Sequence, residues 1–271
     1  MKNQDVVQQV FINGRRQPNS ETNPLAFAGF AHFSAMQVRN GKVKGVDLHL
    51  ERLRLASRTL FGKSLNDAQL LSYIREAITN SSDDCSLTVT LYSTHGEFTT
   101  RSMNTYPSVL VSTSAPSNGP QGPLRLTTIP HERHLPEIKH VGEIGKTYYL
   151  HKAKSLGFDD ALFIDKQGRI SEGTIWNVAF WDGNHVIWPS AAMLKGTMMS
   201  MLQRQLTKLN MPQRTTQLTL DELSSFTGAV VMNSWTPAVS VKGIDSESFE
   251  QSDTLKNLLH RAYEAETAKD V

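Results

Sequence analysis

The side chains able to do chemistry are unevenly spread along the 271 residues. The segment from Ile138 to Met199 holds two lysines seven residues apart, Lys139 and Lys146, and a carboxylate within Ser171-Glu172-Gly173. It also holds an amide at Asn177 and a glycine, Gly196, where a helix should open. A lysine amine taken out of water can lose its proton near neutrality and become a nucleophile. A helix N-terminus offers free N–H groups and a favourable dipole to an anion. Other chemistries lack their signatures: GxxxxGK[ST], GxGxxG and GxSxG are missing, and none of the nine histidines sits in HExxH. His131 and His134 are spaced to share a metal, but no third ligand is near, so they read as polar-loop histidines and no metal site is expected. A metal hydrolase built on them is a minor alternative. Cys85 is the single cysteine and reads as a small apolar residue at the start of a strand.

Composition narrows the class. Lysine plus arginine is 28 and aspartate plus glutamate is 26, a formal charge of +2. That balance argues against a dedicated nucleic-acid binder. Hydrophobic residues at 39% supply a core and argue against disorder. The opening MKNQDVVQQVFINGRR has no apolar signal region, and no apolar run approaches the length of a membrane span. A reduced, cytoplasmic location with no membrane partner is the expectation.

The elements that must position these side chains follow from periodicity and turn residues. Phe30–Val46 reads as a hairpin about Asn40-Gly41, both of which tolerate positive φ. Asp47 reads as the N-cap of a helix carrying Leu48, Leu53, Leu55, Ala56 and Leu60 and stopped by Gly62. A second helix fits Asn66 to Thr79, with Leu70, Tyr73, Ile74 and Ala77 on one face, and strands follow at 87–92 and 109–112. The ten residues from Ser114 to Pro123 hold three prolines and two glycines and read as a linker. The expected division is therefore a small N-terminal domain over 1–115, a linker over 116–123 and a larger domain over 124–271. In the second part, strands are expected at 124–129, 161–164, 176–181, 186–188 and 230–233. Helices are expected over about 145–156, from Gly196 to about Leu209, and over about 252–268. Hairpins replace regular βαβ alternation, which favours mixed α/β sheets over a doubly wound parallel sheet. Trp176, Trp188 and the Met193, Met198, Met199, Met201 cluster read as packing residues.

A longer series then stands in order: His49-Leu50-Glu51-Arg52-Leu53, Lys139 eighteen residues before Gly157, Asp160-Ala161-Leu162, Gly168, Ser171-Glu172-Gly173 with Asn177, and Leu194-Lys195-Gly196. Together it resembles the class IV aminotransferases, the pyridoxal-phosphate family that includes branched-chain and D-amino-acid aminotransferases and aminodeoxychorismate lyase. The resemblance implies a two-domain, fold-type IV architecture like that of D-amino-acid aminotransferase, with pyridoxal 5′-phosphate between the domains, and a homodimer. It implies transfer of an amino group from an amino acid to a 2-oxo acid through a Schiff base on a lysine. Lys139 and Lys146 compete for that role, and the spacing to Gly157 and the preceding Ile138 favour Lys139. Glu172 would keep the pyridine nitrogen protonated. Arg52, the helix opening at Gly196 with Thr197 and Met198, and Asn233-Ser234 would hold the phosphate, with Asn177 completing the cofactor set.

The departures from the family pattern fall in the substrate half. Phe33-Ser34-Ala35 stands where F-E-[TG] is common, and LTVTLYSTHGEF lacks the usual strand arginine. Ile144 replaces a tyrosine five residues after the lysine, and Met198 replaces a threonine or serine. Phe33, His95, Arg101 and Arg133, with His134, are the candidate substrate contacts. Ile138-Lys139-His140 and Asn233 look like the lyase branch, so an aminodeoxychorismate lyase-like reaction, giving 4-aminobenzoate and pyruvate, is the first alternative. A non-catalytic member that binds cofactor or a partner is the second.

Overall fold

A computed structural model describes residues 11–12, 15–16 and 28–271. A short antiparallel pair, β1 (Phe11–Ile12) and β2 (Arg15–Arg16), precedes two large sheets. The first sheet is built from β3 (His32–Arg39), β4 (Lys42–Lys44), β5 (Cys85–Tyr92) and β6 (Ser108–Ser114). Asn40 and Gly41 both take positive φ between β3 and β4, the tight turn expected of Asn-Gly. β3 and β5 alternate strictly between buried and half-buried residues, so Met36, Val38, Leu87, Val89 and Leu91 face one core. That face is covered by α1 (Val46–Phe61) and α2 (Asp67–Thr79). Cys85 is buried at the head of β5.

Two readings of α1 need correction. Its buried stripe is His49, Leu50, Leu53, Ala56, Ser57 and Phe61, while Leu55 is exposed. Asp47 is not the N-cap: Gly45, at φ 68°, turns the chain into the helix, which leaves Asp47 in the first turn, bonded to Arg204 at 2.6 Å. In α2 the buried residues are Leu70 and Ile74, with Tyr73 exposed; Asn66 caps the helix by accepting from the Gln69 amide.

The second sheet runs β12 (Gln213–Thr216), β11 (Val186–Pro189), β10 (Asn177–Trp181), β13 (Gly228–Asn233), β14 (Thr236–Ile244), β7 (Leu124–Pro130), β8 (Asp160–Ile164) and β9 (Ile170–Gly173), with β15 (Glu247–Ser248) on β14. Three of its pairings, β11–β12, β14–β7 and β7–β8, are parallel and the rest antiparallel, which makes a mixed sheet. Its central strands are buried on both faces. One face packs α4 (Thr197–Lys208) and α5 (Ser252–Glu264) through Met198, Met201, Leu202, Leu255 and Leu259, with Trp188 in the same core. α3 (Ile144–Ser155) connects β7 to β8.

The last helix stops at Glu264, short of the expected Ala268. Lys44 Nζ donates to the carbonyls of Tyr263 and Glu264, groups that a helix end leaves without partners. The chain then forms β16 (Ala268–Asp270), which pairs with β4 and so joins the first sheet. Among the described residues, no helix is long and apolar enough to cross a membrane.

Candidate active site

A cavity of about 180 Å³ lies between the two sheets. Phe33 and Ala35, on the outward positions of β3, form one wall. α1, on the first sheet, adds Arg52, and the second sheet with its loops and helices supplies Lys139 and Lys146 with Glu172, Asn177, Gly196, Thr197, Met198, Asn233 and Ser234. All nine residues expected to hold the cofactor therefore face one space.

Lys139 sits in the loop between β7 and α3. That loop zips onto the start of β3: the Lys139 carbonyl accepts from Phe33 N at 2.9 Å, and Val141 N donates to the Ala31 carbonyl at 2.8 Å. Lys139 Nζ lies 4.8 Å from the centre of the Phe33 ring. Burial, followed by the charges of Lys146, Arg52 and Arg133, pushes its ammonium well below the ordinary lysine value, with Glu172 opposing. Lys146, in the first turn of α3, is lowered to about 8, chiefly by burial.

Glu172, on β9, is 3% exposed. Its Oε1 accepts from Leu194 N at 3.3 Å and lies 3.6 Å from Arg133 Nη1. Arg133 is buried too and sits 3.5 Å from Glu143, with its Nη2 donating to the Ile138 carbonyl at 2.8 Å. Arg133 thus stands behind Glu172, outside the lining of the cavity, in a place unlike that of a direct substrate contact. The polar turn at Thr174 that follows β9 is organised by Asp160, whose carboxylate accepts from Thr174 Oγ1 at 2.7 Å and from Trp176 Nε1 at 2.9 Å.

The opening of α4 is held from below. Asn177 donates Nδ2 to the Leu194 carbonyl at 2.8 Å and accepts from Gly196 N at 3.0 Å. A Cβ on Gly196 would run into Asn177 Oδ1, so only glycine fits this corner unchanged. α4 has no side-chain N-cap, which leaves its first N–H groups without intrahelical acceptors. Thr197 Oγ1 is buried there with no hydrogen-bond partner, while the Met198 side chain packs into the core. Arg52, on α1, donates to the Lys195 carbonyl at 2.9 Å, and burial lowers it to about 10. Asn233 accepts from Trp235 N at 2.9 Å in the turn between β13 and β14. An arginine, free helix amides and an orphan hydroxyl in one corner are the donors an anion requires, and they fit the phosphate of the implied cofactor.

Of the remaining substrate candidates, Phe33 lines the cavity, whereas His95, Arg101 and His134 are exposed and do not. Ile144 is 84% exposed and also lies outside the lining. His131 packs against Tyr149 and Phe163 and lies 3.5 Å from Glu143. Among the described residues, no group of three or more histidine, cysteine, aspartate or glutamate side chains is placed to hold a metal ion. Sequence reasoning missed Ile175, Trp176 and Trp235 as lining residues; the two indoles meet edge to face at 6.2 Å at the cavity. Trp176 is buried, as a packing residue should be, but it faces the cavity as well. Trp235 follows Asn233-Ser234 directly, the one signal that would have found it.

Comparison with known proteins agrees with this geometry. A protein of Rickettsia felis assigned as a branched-chain-amino-acid aminotransferase is 32% identical over 96 residues, 35% of this chain and 32% of the relative. The chain thus spans about a third of that relative's length. Two solved structures share the fold. One, from Legionella pneumophila, is assigned as a 4-amino-4-deoxychorismate lyase (TM-score 0.78, 20% identity, covering 91% of this chain and 96% of the other). The other is an aminotransferase from Brucella abortus bound to pyridoxal phosphate (TM-score 0.77, 17% identity, covering 94% and 97%). The family model for class IV amino-transferases matches residues 31–244, across both sheets and every side chain of the cavity named above, and the chain belongs to that family.

Proposed function

We propose that the protein is a pyridoxal-phosphate-dependent aminotransferase, moving an amino group from an amino acid to a 2-oxo acid with Lys139 as its central residue. The observation that carries this reading is the convergence of a desolvated lysine amine, a buried carboxylate and an anion-binding corner on one cavity. When bound, pyridoxal phosphate supplies a carbon that condenses with amines and a pyridinium ring that takes up an electron pair. The residues of the chain do the rest. Lys139 Nζ, short of a proton because it is buried among cations, serves as nucleophile and then as proton carrier. Glu172 holds a proton on the ring nitrogen, and Arg133 behind it, 3.6 Å away, holds the carboxylate in place. Arg52, the first amides of α4 and Thr197 Oγ1 hold the phosphate, and Phe33, Trp176 and Trp235 exclude water. The family resemblance further supports a homodimer.

The test is the visible absorbance of the purified protein with added pyridoxal phosphate, before and after borohydride, followed by peptide mapping. A visible band that collapses on reduction, with the adduct on Lys139, is expected. Lys139→Ala should abolish the adduct and Lys146→Ala should keep it; the opposite pattern would reassign the lysine. No band would remove the enzyme reading and leave the non-catalytic alternative.

A second reading, a lyase on the same scaffold, is favoured by Ile138-Lys139-His140. Release of pyruvate from 4-amino-4-deoxychorismate without an amino donor would establish it, and turnover that requires both a donor and a 2-oxo acid would exclude it.

A further inference from the structure

Lys146 is the one charged group of the cavity without a task in the reading above. It lines the same space as Lys139 and Glu172. Among the described residues its ammonium has no hydrogen bond and no carboxylate within ion-pair distance. The nearby charges are otherwise committed. Arg133 stands between two carboxylates, 3.6 Å from Glu172 and 3.5 Å from Glu143. Arg52 is tied to the Lys195 carbonyl beside the phosphate corner. Lys139 must shed its proton to react. That leaves one ammonium facing a largely apolar cavity, an arrangement that costs free energy until an anion joins it.

Glu172 acts on Lys146 most strongly, then Arg133 and Glu143, and Arg52 least. Lys146 in turn is the largest charge acting on Lys139. Lys146 stands in the first turn of α3, seven residues after Lys139, and lines the cavity together with Lys139 and Glu172. His95 and Arg101, the other cations considered for this half of the site, are exposed and outside the lining.

We propose that Lys146 is a second working cation of the site, pairing with an anionic oxygen beside the Lys139 amine. Resting on the pyridoxal-phosphate reading, the proposal allows two sources for that oxygen, the phenolate of the cofactor ring or the carboxylate of the amino-acid substrate. Each is an oxyanion that a lysine can hold as a point charge.

The experiment compares the wild-type protein, Lys146→Met and Lys146→Arg, each loaded with pyridoxal phosphate and without substrate. The visible band is titrated with pH, and each protein is then titrated with 4-methylpentanoate, an unreactive carboxylate. If the partner is the cofactor oxygen, the spectral midpoint of Lys146→Met rises by about one pH unit, because a cation that repelled the proton is gone, and Lys146→Arg stays near wild type. If the partner is the substrate carboxylate, 4-methylpentanoate binds Lys146→Met about tenfold more weakly, again with rescue by arginine, whereas with the cofactor oxygen as partner its affinity holds. Loaded proteins that differ in neither respect would overturn the proposal. Wild-type protein that takes up no pyridoxal phosphate would overturn the functional reading itself, a distinct result visible before any variant is made.

Discussion

Thr197 and Met198 show how one position of a familiar pattern can move. The hydroxyl expected two residues after Gly196 is absent, because Met198 is 3% exposed in the core beneath α4. The hydroxyl one residue earlier is the buried, unpartnered one. Thr197→Val should therefore weaken pyridoxal-phosphate binding by about tenfold or more, the worth of a hydrogen bond to a charged group, with little effect on the melting temperature of the cofactor-free protein. Equilibrium dialysis against the cofactor checks this, and unchanged affinity would return the role to the Met198 amide. Glu172→Gln should leave the cofactor bound and slow turnover on the order of 10²-fold, because the neutral amide no longer favours a protonated ring nitrogen. Unchanged turnover would remove Glu172 from that role. The convergence of Lys139, Glu172 and Arg52 on one cavity was legible because they stand in a series of motifs whose order and spacing are kept along the chain. Arg101 misled because position along a sequence does not say which side of a sheet a following loop takes. Lys146 was visible only as a competitor of Lys139, since its separate place depends on α3 facing the cavity.

At the scale of elements, the hairpin at Asn40-Gly41 and the cap at Asn66 were legible because short-range backbone chemistry decides them. The docking of α1 on β3 was not, since it uses reciprocal polar pairs that no periodicity marks. His32 on β3 meets Ser57 on α1 at 2.9 Å, and His49 on α1 meets Ser34 on β3 at 2.7 Å. Ser34, at the position where the family often has glutamate, is thus a packing partner facing away from the cavity. Both histidines are buried, and burial lowers each to about 3. The folded value lies below the unfolded one, so the stability they contribute is full above about pH 6.5 and is lost as pH falls from there towards 3. Each should cost about 1.4 kcal/mol per pH unit within that window. Urea unfolding midpoints measured at pH 7.5 and 5.5 should drop, and His49→Asn should flatten the drop. An equal slope in wild type and variant would show that His49 is not buried neutral.

The whole molecule must hold two sheets at a fixed separation, because Phe33 and Ala35 face side chains carried by the other sheet across the cavity. Three ties do this: Arg52 on the Lys195 carbonyl, the Lys139 loop on β3, and a cluster about Arg204. In that cluster Arg204 on α4 bonds Asp47 on α1 and Glu266 beyond α5, and Glu266 also accepts from Gln205. Glu266 is 7% exposed, and two residues later the chain pairs with β4. None of this was legible, since Ala265, Glu266 and Ala268 continue a good helix pattern and only Lys44 and Arg204, distant in sequence, end it. Glu266→Ala leaves the buried Gln205 amide without its acceptor and Arg204 with one partner. The expected cost is about 2 kcal/mol, below that of a fully buried pair because Arg204 is partly solvated. The loss should also be local. Amide exchange should quicken in β16, β4 and the last turn of α5, while the β7–β8 amides in the middle of the second sheet keep their protection. Uniform acceleration would mean that Glu266 stabilises the fold in general and does not anchor the returning strand. If exchange is local, cofactor affinity should fall as well, because α1 carries Arg52 and is held to α4 by the same arginine.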